Sequence, residues 1–445
     1  MTVSVVEKED ILLFPVEYLK LKLEDVPIRI LENHSLKPKL IFSAAPQNNK
    51  TFELNDFCPS DFFDIPPLQF FSEESIAFLN DLSIFLLRQE SIRRYPELMA
   101  LAFWLRKGNL VTIMKSWKAK ISKYEKVFPR GVAFHITPSN VDSIFLYSWA
   151  LSLLTGNLNL VRVSRSRSRQ IEILLEIVEK LYVNHEAIAR RNKIFSYDYD
   201  DTITSYFSIN SDLRIIWGGD ETINEIKNLK SKPTTKDITF ADKSSLAIIN
   251  TASYLSLDEL SRNELAHAFF NDAYWFNQKA CSSPSRVYFV GTQVAEASKI
   301  FWKHLGKELI KNNNLDDVSL SMKKLTAIYQ EIIDNNDLKP LIIGRYDQPT
   351  VLLQESSYAI HPSCGGGFFI EGRLSSLDEL PKLLRSKDQT LSYFGFNLET
   401  LNEICLNNFS LGLDRIVPMG QALDFFPVWD GYDLLSEFSK RLTLF

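Results

Sequence analysis

Four cysteines in 445 residues, at positions 58, 281, 364 and 405, are too scattered for a disulfide framework, and without a CxxC or Cys/His cluster they suggest no zinc site. A reducing, cytoplasmic setting fits them best, and no metal is expected. The amino terminus, MTVSVVEKEDILLF, lacks a cationic start and a small-residue cleavage site, which argues against an export signal. Long apolar runs are missing too: the longest nearly uncharged stretch, residues 144–154 (IFLYSWALSLL), falls well short of the ~20 residues that cross a bilayer, so it reads as a buried helix. Charge of one sign is not in excess. A net charge of -5 gives no general attraction to nucleic acid or to an anionic membrane. Linear signatures are also absent: there is no GxSxG, HExxH or GxxxxGKS/T and no full GxGxxG.

What is present is a globular composition, 45% hydrophobic, in a chain long enough for two or three domains. The 31 phenylalanines serve either a large aromatic core or an apolar acyl pocket. Residues 1–65 mix short β-like runs with Asn- and Pro-bearing connections and read as an irregular N-terminal extension. From Ser72 to Trp117 apolar residues recur at three- and four-residue spacings, predicting two or three packed helices with Pro96 as a start or a break. After Pro129 strands alternate with helices: GVAFHI, NLVRVS, LRIIWGG, SSLAIIN and SRVYFVG are strands, and RQIEILLEIVEKLY is a helix with Ile171, Leu174, Leu175, Val178 and Leu181 on one face. The repeated βα order predicts an α/β fold with a largely parallel sheet.

Three segments hold residues with chemistry in them. HITPSN (135–140) ends a strand at Thr137 and opens a helix at Asn140, whose amide is either a helix cap or a donor to a reacting oxygen. VRVSRSRSR (161–169) runs a strand into four arginines. They make a solvated basic edge or, with the hydroxyls of Ser164 and Ser166, a phosphate site beyond the carboxyl end of a parallel strand. WFNQKACSSPSRVYF (275–289) sets Cys281 in a short polar loop between a helix and a strand, as an ordinary loop thiol or a nucleophile. Cys58, Cys364 and Cys405 are weaker candidates. WGGDET (217–222) follows a strand, but Asp220 and Glu221 would repel a phosphate at that helix start.

In their order and spacing, YPELMALAFWLRKGNL, GVAFHITPSNV, LLTGNLNLVRVS, LRIIWGGDETI, DITFADKSSLAIIN, NQKACSSPSRVYF, DQTLSYFGF and WDGYDL resemble the aldehyde dehydrogenase superfamily. Within it they are most similar to the acyl-CoA reductases typified by the long-chain acyl-protein thioester reductases of bacterial bioluminescence. The resemblance spans roughly residues 90 to 445 and implies an aldehyde-dehydrogenase-like α/β fold. Its parts would be the N-terminal extension (1–65), a Rossmann-type NADP-binding domain with N-terminal helices (66–242), an α/β catalytic domain carrying the cysteine (243–425) and a bridging segment (426–445).

The same resemblance makes Cys281 the nucleophile, with Arg286 completing a C-x4-R pattern, and gives Asn140 the place of the oxyanion residue. Arg162 stands where a lysine normally meets the adenosine ribose, and Arg165 where NAD-preferring members often carry glutamate, which implies NADPH over NADH. Thr137, Ser164, Gly218 and Gly219 complete the implied cofactor site, although the glycine turn lacks its usual Gly-Ser pattern. Thr239 replaces the glutamate that activates water in hydrolytic members, so an acyl-enzyme should survive until hydride or a thiol reaches it. The implied activity is NADPH-dependent reduction of an acyl-CoA or acyl-protein thioester to the aldehyde. Its rivals are oxidation of an aldehyde to the acid and a noncatalytic acyl-binding subunit. Implied partners are an acyl-protein synthetase and further copies of the chain, in a homodimer or homotetramer whose bridging strand would include RLTLF (441–445).

Overall fold

The computed structural model describes residues 40–445 except 44–50, 138–143, 166–167, 313–317, 335–337, 345–348, 355–363 and 408–411; Asn140 and Ser166 therefore lie outside the described residues. Strands of the first half are β1 (Leu40–Ser43), β2 (Thr51–Glu53), β3 (Glu125–Pro129), β4 (Val132–Ile136), β5 (Leu158–Arg162), β6 (Asn192–Ser196), β7 (Leu213–Trp217) and β8 (Lys236–Phe240). They are followed by β9 (Ser244–Asn250), β10 (Pro284–Val290), β11 (Leu338–Ile342), β12 (Thr350–Gln354), β13 (Phe368–Leu374), β14 (Asp388–Phe394) and β15 (Arg415–Pro418). The last are β16 (Val428–Trp429), β17 (Tyr432–Asp433) and β18 (Ser439–Thr443).

The first sheet has the order β2-β1-β6-β5-β4-β7-β8, with β4 to β8 mutually parallel. Part of the segment read as an irregular extension is thus regular: β1 and β2 form a hairpin, and β1 joins the sheet antiparallel to β6. Side chains alternate across the strands as the pleat requires. Val132, Phe134, Leu158, Leu160 and Ile216 enter one core, with Cys58, Phe62 and Phe207. Ala133, Val161, Leu213 and Ile215 enter the other, beneath the helices Glu73–Arg88, Ile144–Leu154 and Arg169–Tyr182. The apolar run 144–154 is buried at every position. The face Ile171, Leu174, Leu175, Val178 and Leu181 is buried as its spacing predicts, behind a helix start capped by Ser168. Pro96 opens the second of three helices in the stretch after Ser72, where its missing N–H costs nothing.

The second sheet runs β11-β12-β13-β10-β9-β14-β15, parallel throughout except for β11. The chain passes between the sheets through Ala241–Lys243, so the carboxyl end of β8 leads directly to the amino end of β9. Near the C-terminus, β16 and β17 form a hairpin whose two-residue turn, Asp430–Gly431, takes positive φ at both positions (49° and 77°), as the twist of a tight hairpin demands. Strand β18 then pairs antiparallel with β3 in a separate ribbon.

Candidate active site

Strand order in the first sheet reverses at β4, whose neighbours β5 and β7 are followed by crossovers in opposite directions; such a switch point opens a crevice beyond the carboxyl ends of the strands. A cavity of 670 Å³ lies there, and Thr137, Arg162, Ser164, Arg165, Gly218 and Gly219 all line it. Thr137 donates its hydroxyl to the Arg162 carbonyl at 2.8 Å. The Arg162 guanidinium lies 4.9 Å from the centre of the Tyr197 ring, and its Nε is buried without a hydrogen-bond partner. Arg165 reaches Asp198 at 2.6 Å in an exposed ion pair. Gly219 caps the helix Asp220–Asn228, and a Cβ on it would stand 3.0 Å from Asp242 Oδ2. The acids expected to repel phosphate are indeed in that first turn, but Lys387, just ahead of β14, holds Asp220 at 2.6 Å. An orphaned buried guanidinium donor in a switch-point crevice fits a dinucleotide, with Arg162 and Arg165 as the cations that would meet its phosphates. The carboxylates of Asp198, Asp201 and Glu225 on the same walls suit ribose hydroxyls.

A second cavity, of 350 Å³, contains Cys281. Trp217, Gly218, Gly219 and Asp242 line both cavities, so the crevice and the cysteine share a wall. The loop carrying the thiol leaves the helix Glu259–Tyr274 through Asn277 and Gln278, both left-handed (φ 52° and 59°). Gln278 is the clamp that holds this strained turn. Its Nε2 donates to the Pro284 and Phe368 carbonyls at 2.9 and 3.0 Å, and its Oε1 accepts from the Gly367 and Phe368 amides at 2.8 and 2.9 Å. Ser245 Oγ donates to the Cys281 carbonyl at 2.7 Å and accepts from the Thr390 amide at 3.1 Å, tying the loop to β9 and β14. The cavity wall is apolar on one side (Ile144, Phe276, Leu423, Phe425, Trp429) and polar around the thiol, where the buried Ser282 and Ser283 hydroxyls have no partner.

Around the sulfur the electrostatics are mixed. Burial, then the charge of Asp430, push the Cys281 thiol up to about 12, against the pull of a Gln389 hydrogen bond and the Lys243 ammonium. Each donor that stabilises the sulfur anion therefore matters. Gln389 Nε2 stands 3.2 Å from Cys281 Sγ, and the same nitrogen donates to Asp430 Oδ1. Lys243 is ion-paired with Asp414 at 2.5 Å. Arg286 does not line this cavity: it is fully buried and paired with Asp388, the residue before Gln389. The sequence alone assigns no role to Gln278, Ser245, Gln389 or Asp430, although Gln389 and Asp430 stand in the motifs DQTLSYFGF and WDGYDL.

The other thiols separate clearly. Cys58 is core, and burial pushes it up to about 12. Cys364 lines the Cys281 cavity. Cys405 is on the helix Leu398–Asn407, with its side chain outside the described residues. Thr239 lines neither cavity; Asp242, three residues on, lines both but sits against Gly219. Among the described residues no helix is long and apolar enough to cross a membrane.

Two seven-stranded sheets, with the crevice of one opening on a cysteine loop at the amino edge of the other, define an aldehyde-dehydrogenase-like protein. Solved structures agree on that fold. A lactaldehyde dehydrogenase from Escherichia coli superposes with a TM-score of 0.59 at 13% identity over 88% of this chain and 90% of its own. An aldehyde dehydrogenase from Physcomitrella patens gives 0.61 at 12% identity over 93% and 96%. More narrowly, the chain belongs to the acyl-CoA reductase (LuxC) family, whose model matches residues 65–441. A long-chain acyl-protein thioester reductase of Aliivibrio fischeri is 26% identical over 201 residues, 45% of this chain and 39% of that protein. The match thus spans about two-fifths of the relative's length.

Proposed function

We propose that the protein reduces an acyl thioester, acyl-CoA or acyl-protein, to the aldehyde at the expense of NADPH, through an acyl group held on Cys281. The observation that carries this reading is the shared wall: a switch-point crevice lined by Arg162 and Arg165 meets the cavity of the thiol at Trp217, Gly218, Gly219 and Asp242. The Cys281 sulfur attacks the thioester carbonyl, its bond to the acyl carbon forms as the carrier C–S bond breaks, and the thiol proton leaves with the carrier thiol. Residues of the crevice would hold the reduced nicotinamide, which would supply a hydride to the acyl carbon, with the carbonyl electron pair moving onto oxygen. The Cys281–acyl bond then breaks, the aldehyde departs and the sulfur is left as thiolate. Ile144, Phe276, Leu423, Phe425 and Trp429 supply the apolar wall for the acyl chain. The amide of Asn140 and the Cys281 backbone N–H are our candidates for the oxyanion.

Oxidation of an aldehyde to the free acid would need a base to activate water. Thr239 cannot serve, and Asp242 stands on the cofactor side against Gly219. NADPH is favoured over NADH because Arg165 can trade the exposed Asp198 carboxylate for a 2′-phosphate. A free thiol nucleophile suits a reducing cytoplasm. An acyl-protein synthetase is the expected source of a protein-bound substrate. The β3–β18 ribbon, with Phe128 and Leu442 half exposed, is the expected seam of a homodimer or of the dimers within a homotetramer. Cys281→Ala should abolish both NADPH-dependent reduction of acyl-CoA and labelling by a radioactive acyl thioester; turnover retained by this variant refutes the reading.

A further inference from the structure

We infer that Gln389 is a catalytic residue whose amide N–H stabilises the anion of the Cys281 sulfur when it forms, and that Asp430 is the positioning residue that fixes which end of that amide faces the sulfur. The inference rests on the reading of Cys281 as the acyl carrier.

A glutamine side chain has a donating and an accepting end of nearly the same shape, and only the donating end stabilises a thiolate. Gln389 Nε2 lies 3.2 Å from Cys281 Sγ and also donates to Asp430 Oδ1. An ionised carboxylate accepts only, so with Asp430 at that place a flipped amide would set oxygen against oxygen. The two amide hydrogens are thereby divided, one to the carboxylate and one to the sulfur. The Thr390 hydroxyl, donating to Gln389 Oε1 at 3.3 Å, favours the same orientation.

The framework is built to keep these groups in place. Asp430 is 8% exposed, its Oδ2 is buried without a partner, and its backbone is fixed in the left-handed turn between β16 and β17. Burial pushes the Asp430 carboxyl up, while the Gln389 hydrogen bond, Lys243 and Arg415 favour its anion against burial and the neighbouring Asp414. Gln389 follows Asp388, which the buried Arg286 anchors to β10. The same N–H serves both halves of the reaction. It favours the sulfur anion as the carrier is displaced, and it favours that anion again as the leaving group when aldehyde departs. No proton is transferred to or from the amide.

Iodoacetamide alkylation of Cys281 in the full-length protein, followed by peptide mass against pH, tests this without substrate. A hydrogen bond to a charged sulfur predicts that Gln389→Leu slows alkylation at fixed pH about ten- to a hundredfold and moves the titration to higher pH. Gln389→Met should act in the same direction and stands in if the leucine variant does not fold. Asp430→Asn should speed alkylation when Gln389 is already leucine, because only a negative charge is lost. With Gln389 present the gain should be much smaller or reversed, because the amide is freed to flip. An unchanged titration in both Gln389 variants, or equal effects of Asp430→Asn in the two backgrounds, overturns the inference while acyl labelling of Cys281 stands. Failure of the wild-type thiol to take an acyl label overturns the reading beneath it.

Discussion

Exchanging Arg165→Glu is the sharpest test of cofactor choice, because its expected size follows from exposure and charge. Arg165 and Asp198 are 46% and 75% exposed, so releasing the arginine from its partner costs little, about 0.2–1 kcal/mol. A 2′-phosphate carries about -1.5 to -2 charges near neutrality, by analogy with other phosphomonoesters. Two unit charges about 4 Å apart in water interact by about 1 kcal/mol, so reversing one side chain, a change of two charges, is worth about 3–4 kcal/mol before screening. Salt at physiological strength, with a Debye length of about 8 Å, and the exposure of the side chain cut this roughly in half. The ratio of kcat/KM for NADPH to that for NADH should therefore fall about 10- to 30-fold in Arg165→Glu and about 3- to 6-fold in Arg165→Gln. The effect should shrink as salt is raised. Steady-state rates at saturating acyl-CoA, with each cofactor varied at two ionic strengths, measure it. An unchanged ratio in both variants, or a wild-type preference for NADH, refutes the reasoning.

Glu97 is 3% exposed, and burial pushes its carboxyl from an ordinary 4.5 up to about 7. Between those values the folded state keeps a proton that the unfolded chain releases, so stability falls as pH rises through this window. Glu97→Gln should remove that slope and gain about 3 kcal/mol at pH 8 relative to pH 4.5 in urea unfolding; an unaltered slope would count against a buried neutral acid. The Arg286–Asp388 pair is fully buried, and breaking it with Arg286→Met should cost about 3–5 kcal/mol of unfolding free energy, largely recovered when Asp388→Leu is added. Equal stability of the single variant and the wild type would show that the pair does not anchor β14.

Local chemistry made much of this molecule legible, and distance hid the rest. The helix 169–182 follows from periodicity, the fully buried run 144–154 from its unbroken apolar character, and β4, β5, β7, β9 and β10 from apolar runs bounded by turns. Thr137, Arg162, Ser164, Arg165, Gly218 and Gly219 line one cavity, since a strand end followed by Arg or Gly-Gly is a local feature whose destination a parallel sheet fixes. The hairpin β1–β2 escaped because its strands are short and gain their regularity only by docking on β6. The partners of Cys281 escaped for a related reason. Gln389 and Asp430 stand 108 and 149 residues beyond the thiol, and only the register of β14 against β9 and the turn of the β16–β17 hairpin bring them to it.

Arg286 shows how a signature can mark a scaffold. Its spacing from Cys281 marks the loop, yet its side chain is fully buried and paired with Asp388. In this chain the spacing sets a cysteine at the amino edge of β10 and, five residues on, a guanidinium that pins the amino edge of β14. Pinning Asp388 sets Gln389, one residue on, beside the thiol. The arginine thus belongs to the site through the strand it fixes, which is why its loss should appear first in stability and only through Gln389 in the reactivity of Cys281.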